Sequence, residues 1–122
     1  MKLYYMPGAC SLSPHIVALE AGLPLTLSKV SMADGKKTAD GRDFGAINPK
    51  GYVPALETNG GDVLTEGPAI VQYLADQKPG SGLMPASGMA RYRVAEWLAF
   101  IKEMVAGQLR ANQLKLFVTT DY

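Results

Sequence analysis

The chain has one cysteine, one histidine and almost no net charge, and each scarcity closes off a class of function. One cysteine cannot form an internal disulfide, and together with one histidine it cannot build a zinc site. With 12 basic and 11 acidic side chains the formal charge is +1, which lacks the clustered basic excess that nucleic acid demands. No apolar run approaches the roughly 20 residues of a membrane span, and Met1-Lys2-Leu3-Tyr4-Tyr5 does not open like a signal peptide. Nucleic acid, membrane and metal are therefore not the expected partners, and a cytoplasmic location is. What is present is a 122-residue chain that is 48% hydrophobic and 19% charged, enough for one packed domain with a small appendage. The single thiol is left to explain.

The 13 glycines and 8 prolines crowd into residues 1–88, which predicts short elements and many turns there. Lys2 to Tyr5 reads as a short strand ended by Pro7-Gly8. A helix is expected from Ser13 as cap and Pro14 in the first turn, until Gly22, with Pro24 just beyond as a stop. Leu25 to Val30 alternates like a second strand. Residues 31–48 read as loop with at most a turn or two of helix near Phe44. Val53 to Glu57 and Asp62 to Thr65 are two strands joined by Asn59-Gly60-Gly61, a hairpin signal. A helix over Gly67–Gln77 follows, with Ile70, Val71 and Leu74 as its apolar stripe. This order, β-α-β-(α)-β-β-α, predicts an α/β domain whose first two strands run parallel and whose hairpin closes the sheet. Residues 78–88, rich in Pro, Gly and Ser, read as a linker. From Met89 to about Val105, Val94, Trp97, Leu98, Ile101, Met104 and Val105 recur at helical spacing, a core or interface face. The later cluster Leu114, Leu116, Phe117 and Val118 has neither cap nor period and is unassigned.

Four places carry chemistry. Cys10 lies in the turn between strand and helix, where the helix dipole and free backbone N–H groups favour thiolate; the alternative is an inert buried cysteine. Val53-Pro54 enters a strand with a proline that cannot join the ladder. In the cis form it would offer backbone groups to an extended peptide; the alternative is an ordinary trans proline. Thr65-Glu66-Gly67-Pro68 starts a helix, where N–H groups suit a carboxylate and Glu66 suits an ammonium, or else it is a plain acidic helix start. Lys36-Lys37 is either solvated surface or a clamp for an anion. A peptide with a thiol, an ammonium and two carboxylates would satisfy all four. His15, on the first helix, reads as a surface or packing residue.

The stretches that carry these features are Met1 to Ser13 with its Pro7-Gly8-Ala9-Cys10-Ser11, Asn48-Pro49-Lys50-Gly51-Tyr52-Val53-Pro54-Ala55-Leu56, Leu64 to Ile70, Gln72 to Asp76, and Arg91-Tyr92-Arg93 with Glu96-Trp97-Leu98. In these, from residue 1 to about 101, the chain resembles the bacterial beta-class glutathione S-transferases. The resemblance implies a thioredoxin-like βαβαββα domain at residues 1–80, a linker at 81–88, and the beginning of an all-α transferase domain at 89–122. It implies glutathione as co-substrate, no metal, a small electrophilic second substrate, a role in detoxification, and a homodimer. Cys10 would lie against the glutathione sulfur, as hydrogen-bond donor or mixed-disulfide partner, with Ser11 and Tyr5 as secondary donors. Lys37 or Lys36 would take a carboxylate, Val53 before cis-Pro54 would pair with the peptide backbone, and Glu66 with Gly67 would hold the other end.

Two departures stand out. Gly67 replaces the family's usual serine, which removes a hydroxyl donor worth about 1 kcal/mol. Beyond Ile101 similarity falls away, and Ala106 stands where a histidine reaching the thiol is expected, which implies a truncated or frame-altered member. Glutathione-dependent thiol–disulfide exchange through Cys10, or a catalytically weak interaction module, are the other readings.

Overall fold

The computed structural model describes the backbone of residues 1–114 and the side chains of residues 1–102. The chain divides into two compact units, Met1–Ala86 and Ser87–Tyr122.

In the first unit the elements are β1 (Lys2–Tyr5), α1 (Leu12–Glu20), β2 (Thr26–Ser31), β3 (Lys37–Thr38), α2 (Phe44–Ile47), β4 (Ala55–Glu57), β5 (Val63–Thr65) and α3 (Gly67–Asp76), then a short 3-10 turn over Pro79–Ser81. The strands form one sheet in the order β3-β2-β1-β4-β5. β1 and β2 are parallel, with Tyr5 opposite Lys29. β4 runs antiparallel to β1, with Tyr4 opposite Ala55, and β5 antiparallel to β4. The expected thioredoxin-like arrangement is therefore present, with parallel first strands and a closing hairpin. Thr58, Gly61 and Asp62 close that hairpin by backbone bonds, Thr58 N to Asp62 O at 2.8 Å and Gly61 N to Thr58 O at 3.1 Å.

Alternation along β1 explains its burial on both sides. Leu3 packs with Ala18 of α1, Leu56 of β4, and Ile70 and Leu74 of α3. Tyr4 points the other way, into a cluster with Val30, Phe44 and Ala55. Helices α1 and α3 thus cover one face, and the α2 region covers the other.

Three details differ from the sequence expectation. The 31–48 stretch holds a two-residue strand, because Val30 and Ser31 pair with Thr38 and Lys37; two residues are too few to leave a period. The one-turn helix at Phe44 is as expected. Helix α1 begins at Leu12, so Ser11 is its N-cap residue, with no side-chain cap bond, and Ser13 lies inside the helix. Pro14 still falls within the first turn, where its missing N–H has no helical partner to lose. Neighbouring boundaries move by a residue or two.

The second unit contains α4 (Gly88–Leu114). It runs beyond the expected end at Val105 because Gly107 weakens a helix interior, by about 1 kcal/mol, without breaking it. Trp97 and Phe100 meet edge to face, their ring centroids 5.8 Å apart. Arg93 pairs with Glu96 one turn on, at 3.2 Å. The side chains of Met104, Val105 and Ala106, and the cluster Leu116, Phe117 and Val118, lie outside the described residues.

Candidate functional site

The strand registers bring four loops to one end of the sheet. Tyr5 and Ser31 end parallel strands there, Thr65 ends β5, and Ala55 begins β4. The loop carrying Cys10, the residues before β3, the turn before Pro54 and the start of α3 all issue from this end. So do the N-termini of α1 and α3, which favour anions. The carboxyl ends of parallel strands are the usual place for a ligand in α/β sheets.

Cys10 is exposed and its thiol is free. Its turn is closed by Ala9 N to Met6 O at 3.3 Å and Leu12 N to Ala9 O at 3.1 Å. Ser11, expected as a secondary donor, is buried: its Oγ donates to Met6 O at 3.1 Å and accepts from Met6 N at 3.2 Å. Its one hydroxyl proton is therefore engaged within the loop. Tyr5 is half-buried and opens onto a cleft of about 130 Å³ whose lining includes Met6, Ser11, Leu12 and His15. His15 reached this cleft because it stands four residues after Ser11 on α1, the same helix face; that spacing was the available signal.

The Asn48–Pro54 turn is built by Asn48, which is buried. Its Nδ2 donates to Tyr52 O at 2.7 Å and its Oδ1 accepts from Lys50 N at 3.1 Å. Val53-Pro54 is a cis peptide bond. Val53 lies just past the last β1–β4 register pair, Tyr4 with Ala55. A Cβ on Gly67 would stand 3.9 Å from Pro54 Cγ, so the α3 start and Pro54 are neighbours.

Of the two lysines, Lys36 turns toward this region. Its Nζ donates to Gly51 O at 3.1 Å and sits 5.7 Å from the Tyr52 ring centre. Gly51 has φ +71, and a Cβ there would be only 2.8 Å from that Nζ, so glycine serves both the turn and the approach. Lys37 is exposed on β3.

Glu66, the N-cap of α3, has φ 71 and ψ 117. A left-handed φ in a non-glycine residue is strain that its surroundings must hold, and such outliers cluster at functional sites. Its carbonyl accepts from Ala69 N and Ile70 N, both at 3.0 Å. Pro68 has no N–H, so the Gly67 N–H is the one first-turn donor at this helix start without a backbone acceptor among the described residues. The Glu66 carboxylate meets Lys50 Nζ at 3.3 Å, and that amine also reaches Thr65 Oγ1 at 3.0 Å. Lys50 went unremarked in the sequence, although it stands inside the Asn48–Pro54 block.

Behind the site, the buried Tyr4 hydroxyl donates to Glu57 Oε2 and accepts from Arg42 Nη2, each at 2.8 Å. Burial, then the Glu57 bond, raise the tyrosine's pKa above its ordinary value. The Thr38 hydroxyl donates to Asp40, and this bond is the main reason that the Asp40 carboxyl is held below the usual carboxylate range. Among the described residues no cluster of three or more His, Cys, Asp and Glu could hold a metal ion. Nor, among them, is any helix long and apolar enough to cross a membrane.

The chain thus has a thioredoxin-like sheet with a cysteine before its first helix and a cis proline immediately before β4. The family model described as "Glutathione S-transferase, N-terminal domain" matches residues 8–77. Glutathione S-transferase GstA of Escherichia coli O157:H7 is 49% identical over 102 residues, 83% of this chain and 50% of that protein. A sphingomonad glutathione S-transferase solved in complex with glutathione is 51% identical, with a TM-score of 0.78 over 82% of this chain and 50% of the other. The beta-class enzyme of Sphingomonas chungbukensis is 48% identical, with a TM-score of 0.78 over the same shares, 82% and 50%. The chain belongs to the glutathione S-transferase family, and its likeness is to the bacterial beta class. It spans about half the length of the curated relatives it matches, 50% and 56% for two of them.

Proposed function

We propose that residues 1–80 are a glutathione-binding domain, joined by a linker at 81–88 to the first part of a helical domain at 89–122, and that the protein conjugates glutathione to small electrophiles. The observation that carries this reading is the meeting, at one sheet end, of an exposed Cys10, Val53 before Pro54, and a Gly67 N–H without a backbone acceptor among the described residues, beside a strained Glu66. The sheet order supports one direction for the ligand. Gly67 follows β5 at one side and Lys36 precedes β3 at the other, with Cys10 and Val53 between them. The γ-glutamyl end carries an ammonium and a carboxylate, which match the Glu66 carboxylate and the Gly67 N–H. The cysteinyl backbone then pairs with Val53, its sulfur faces Cys10, and the glycine carboxylate points toward Lys36 rather than Lys37.

In that pose the α1 N-terminus and the Cys10 thiol stabilise the glutathione thiolate, which attacks an electrophilic carbon and displaces its leaving group. Tyr5, on the cleft wall, is the second donor within reach of that end. Ser11 contributes by holding the Met6–Cys10 loop. Homodimer formation, a cytoplasmic setting and a detoxifying role belong to the same proposal; the family membership and the free thiol support them.

The exposure of Cys10 favours one further activity at the same site. Its thiolate attacks the glutathione sulfur of a mixed disulfide, releases the other thiol, and becomes glutathionylated. A second glutathione thiolate then takes that sulfur, giving glutathione disulfide and restoring Cys10. Turnover of a chlorinated aromatic with glutathione, lost in Cys10→Ser, supports conjugation; deglutathionylation without conjugation supports exchange. Calorimetric titration of the chain with glutathione tests both, and no heat at about millimolar ligand, near −4 kcal/mol, removes both.

A further inference from the structure

We propose that Arg42, through its bond to the Tyr4 hydroxyl, is a positioning residue that sets Lys36 for the glycine carboxylate of glutathione; this rests on the binding pose above. Residues 36–44 form a small polar lobe. Phe44 N bonds Lys36 O at 2.8 Å at its base, and Thr38 N bonds Arg42 O at 2.9 Å across it. Arg42 N returns a bond to Thr38 Oγ1 at 3.0 Å, and Lys37 bridges Asp43. Only two register pairs tie this lobe to β2.

Besides the Lys36–Gly51 bond and the packing of Phe44 with Val30 and Ala55, the lobe is attached through Tyr4. The Phe44 ring lies 5.8 Å from the Tyr4 ring, and Arg42 reaches over that ring to the hydroxyl at 2.8 Å. The same hydroxyl bonds Glu57 of β4, so Tyr4 joins the lobe to both β1 and β4. β4 is the strand that Val53-Pro54 enters. The connection thus links the part that carries Lys36 to the part that would grip the peptide backbone.

Lys36 is the residue that needs such support. Its φ of 62 is left-handed, a conformation that persists only when neighbours over-determine it. Arg42 itself is directed away from the site: Tyr4 leans to Glu57, whose register partner is Lys2 at the far end of β1. An effect of Arg42 confined to the glycine end of glutathione therefore passes through the lobe, whereas one passing through Tyr4 and β4 would touch a ligand with or without that glycine.

The test compares glutathione with γ-glutamylcysteine, which lacks the glycine, by calorimetry on the full chain. Lys36→Ala is expected to weaken glutathione about fivefold, the upper range of a partly exposed ion pair. Arg42→Ala and Tyr4→Phe are expected to weaken it about three- to fivefold, and the Lys36→Ala/Arg42→Ala pair to be no weaker than Lys36→Ala alone. Arg42→Lys restores part of the loss, since one amine cannot replace the fork that holds Tyr4 and Asp40 together. Arg42→Ala, Arg42→Lys and Tyr4→Phe bind γ-glutamylcysteine as the wild type does. Equal losses for both ligands, additive losses in the double variant, or unchanged glutathione binding in Arg42→Ala and Tyr4→Phe overturn the inference alone. A wild-type chain that binds neither ligand overturns the glutathione reading and this inference with it.

Discussion

Gly67→Ser restores a hydroxyl at the helix start that the proposed site uses, and its effect can be worked out from the structure. Gly67 is the first residue of α3 and its φ is not in the left-handed region, so a side chain brings no backbone strain. The new Cβ would stand 3.9 Å from Pro54 Cγ, an ordinary van der Waals contact. Removing a glycine from a compatible position narrows the unfolded ensemble, worth about 0.4–1 kcal/mol of stability. The hydroxyl adds a donor for a ligand carboxylate; at a part-exposed site that is about 1 kcal/mol, or roughly fivefold in affinity. Gly67→Ala separates the two effects, because it keeps the first and lacks the second. Urea unfolding and glutathione titration of both variants give the answer. Both should be more stable than wild type, and only the serine should bind more tightly. A serine variant that binds no better than the alanine variant would refute the placement of the ligand carboxylate at this helix start.

Tyr4→Phe should lower stability by about 1–2 kcal/mol, because both lost bonds are to charged groups whose half-exposed ends can rehydrate. The folded state holds the Tyr4 proton more tightly than the unfolded one, so the wild type's contribution is full below about pH 10 and is lost as pH rises beyond it. Urea midpoints between neutral and strongly alkaline pH should therefore fall less steeply in the variant; equal slopes contradict the assignment. Glu66→Gly should be more stable than Glu66→Ala by at least about 1 kcal/mol, since only glycine takes φ 71 without penalty and glycine is also the better N-cap. Ser11→Ala should cost about 1–3 kcal/mol in urea unfolding, because Met6 N–H and C=O lose their partner at a buried position. Full stability with lost glutathione binding would instead make Ser11 a direct ligand contact.

Local signals made much of this fold legible. Asn59-Gly60-Gly61 marks the hairpin because only glycine relieves its positive φ, and the Ile70, Val71, Leu74 stripe marks α3 because those residues face the core. The strand at Lys37-Thr38 was not legible, since its pairing is a tertiary fact with two residues on each side. Ser13 offered a plausible cap, but the helix begins earlier, with Ser11 at the cap position and its hydroxyl bonded back to Met6. The four candidate regions could be marked from turn chemistry and the family pattern, and the strand registers bring them to one end of the sheet. That Lys36 rather than Lys37 turns toward the Asn48–Pro54 turn was not legible, because it depends on a left-handed residue and a contact with Gly51 across 15 positions. Lys50 and the Tyr4–Arg42–Glu57 connection were hidden for the same reason: each joins residues from loops or strands that sequence proximity does not pair.

The central claim is that glutathione lies across the β1, β4 and α3 end of this sheet, and amide NMR of the nitrogen-labelled chain during glutathione titration tests it most directly. Saturable shifts at Cys10, Val53 and Gly67, with half-saturation below about 1 mM, are the predicted result. No saturable shift, or shifts confined to the His15 cleft while Val53 and Gly67 stay unmoved, would contradict it.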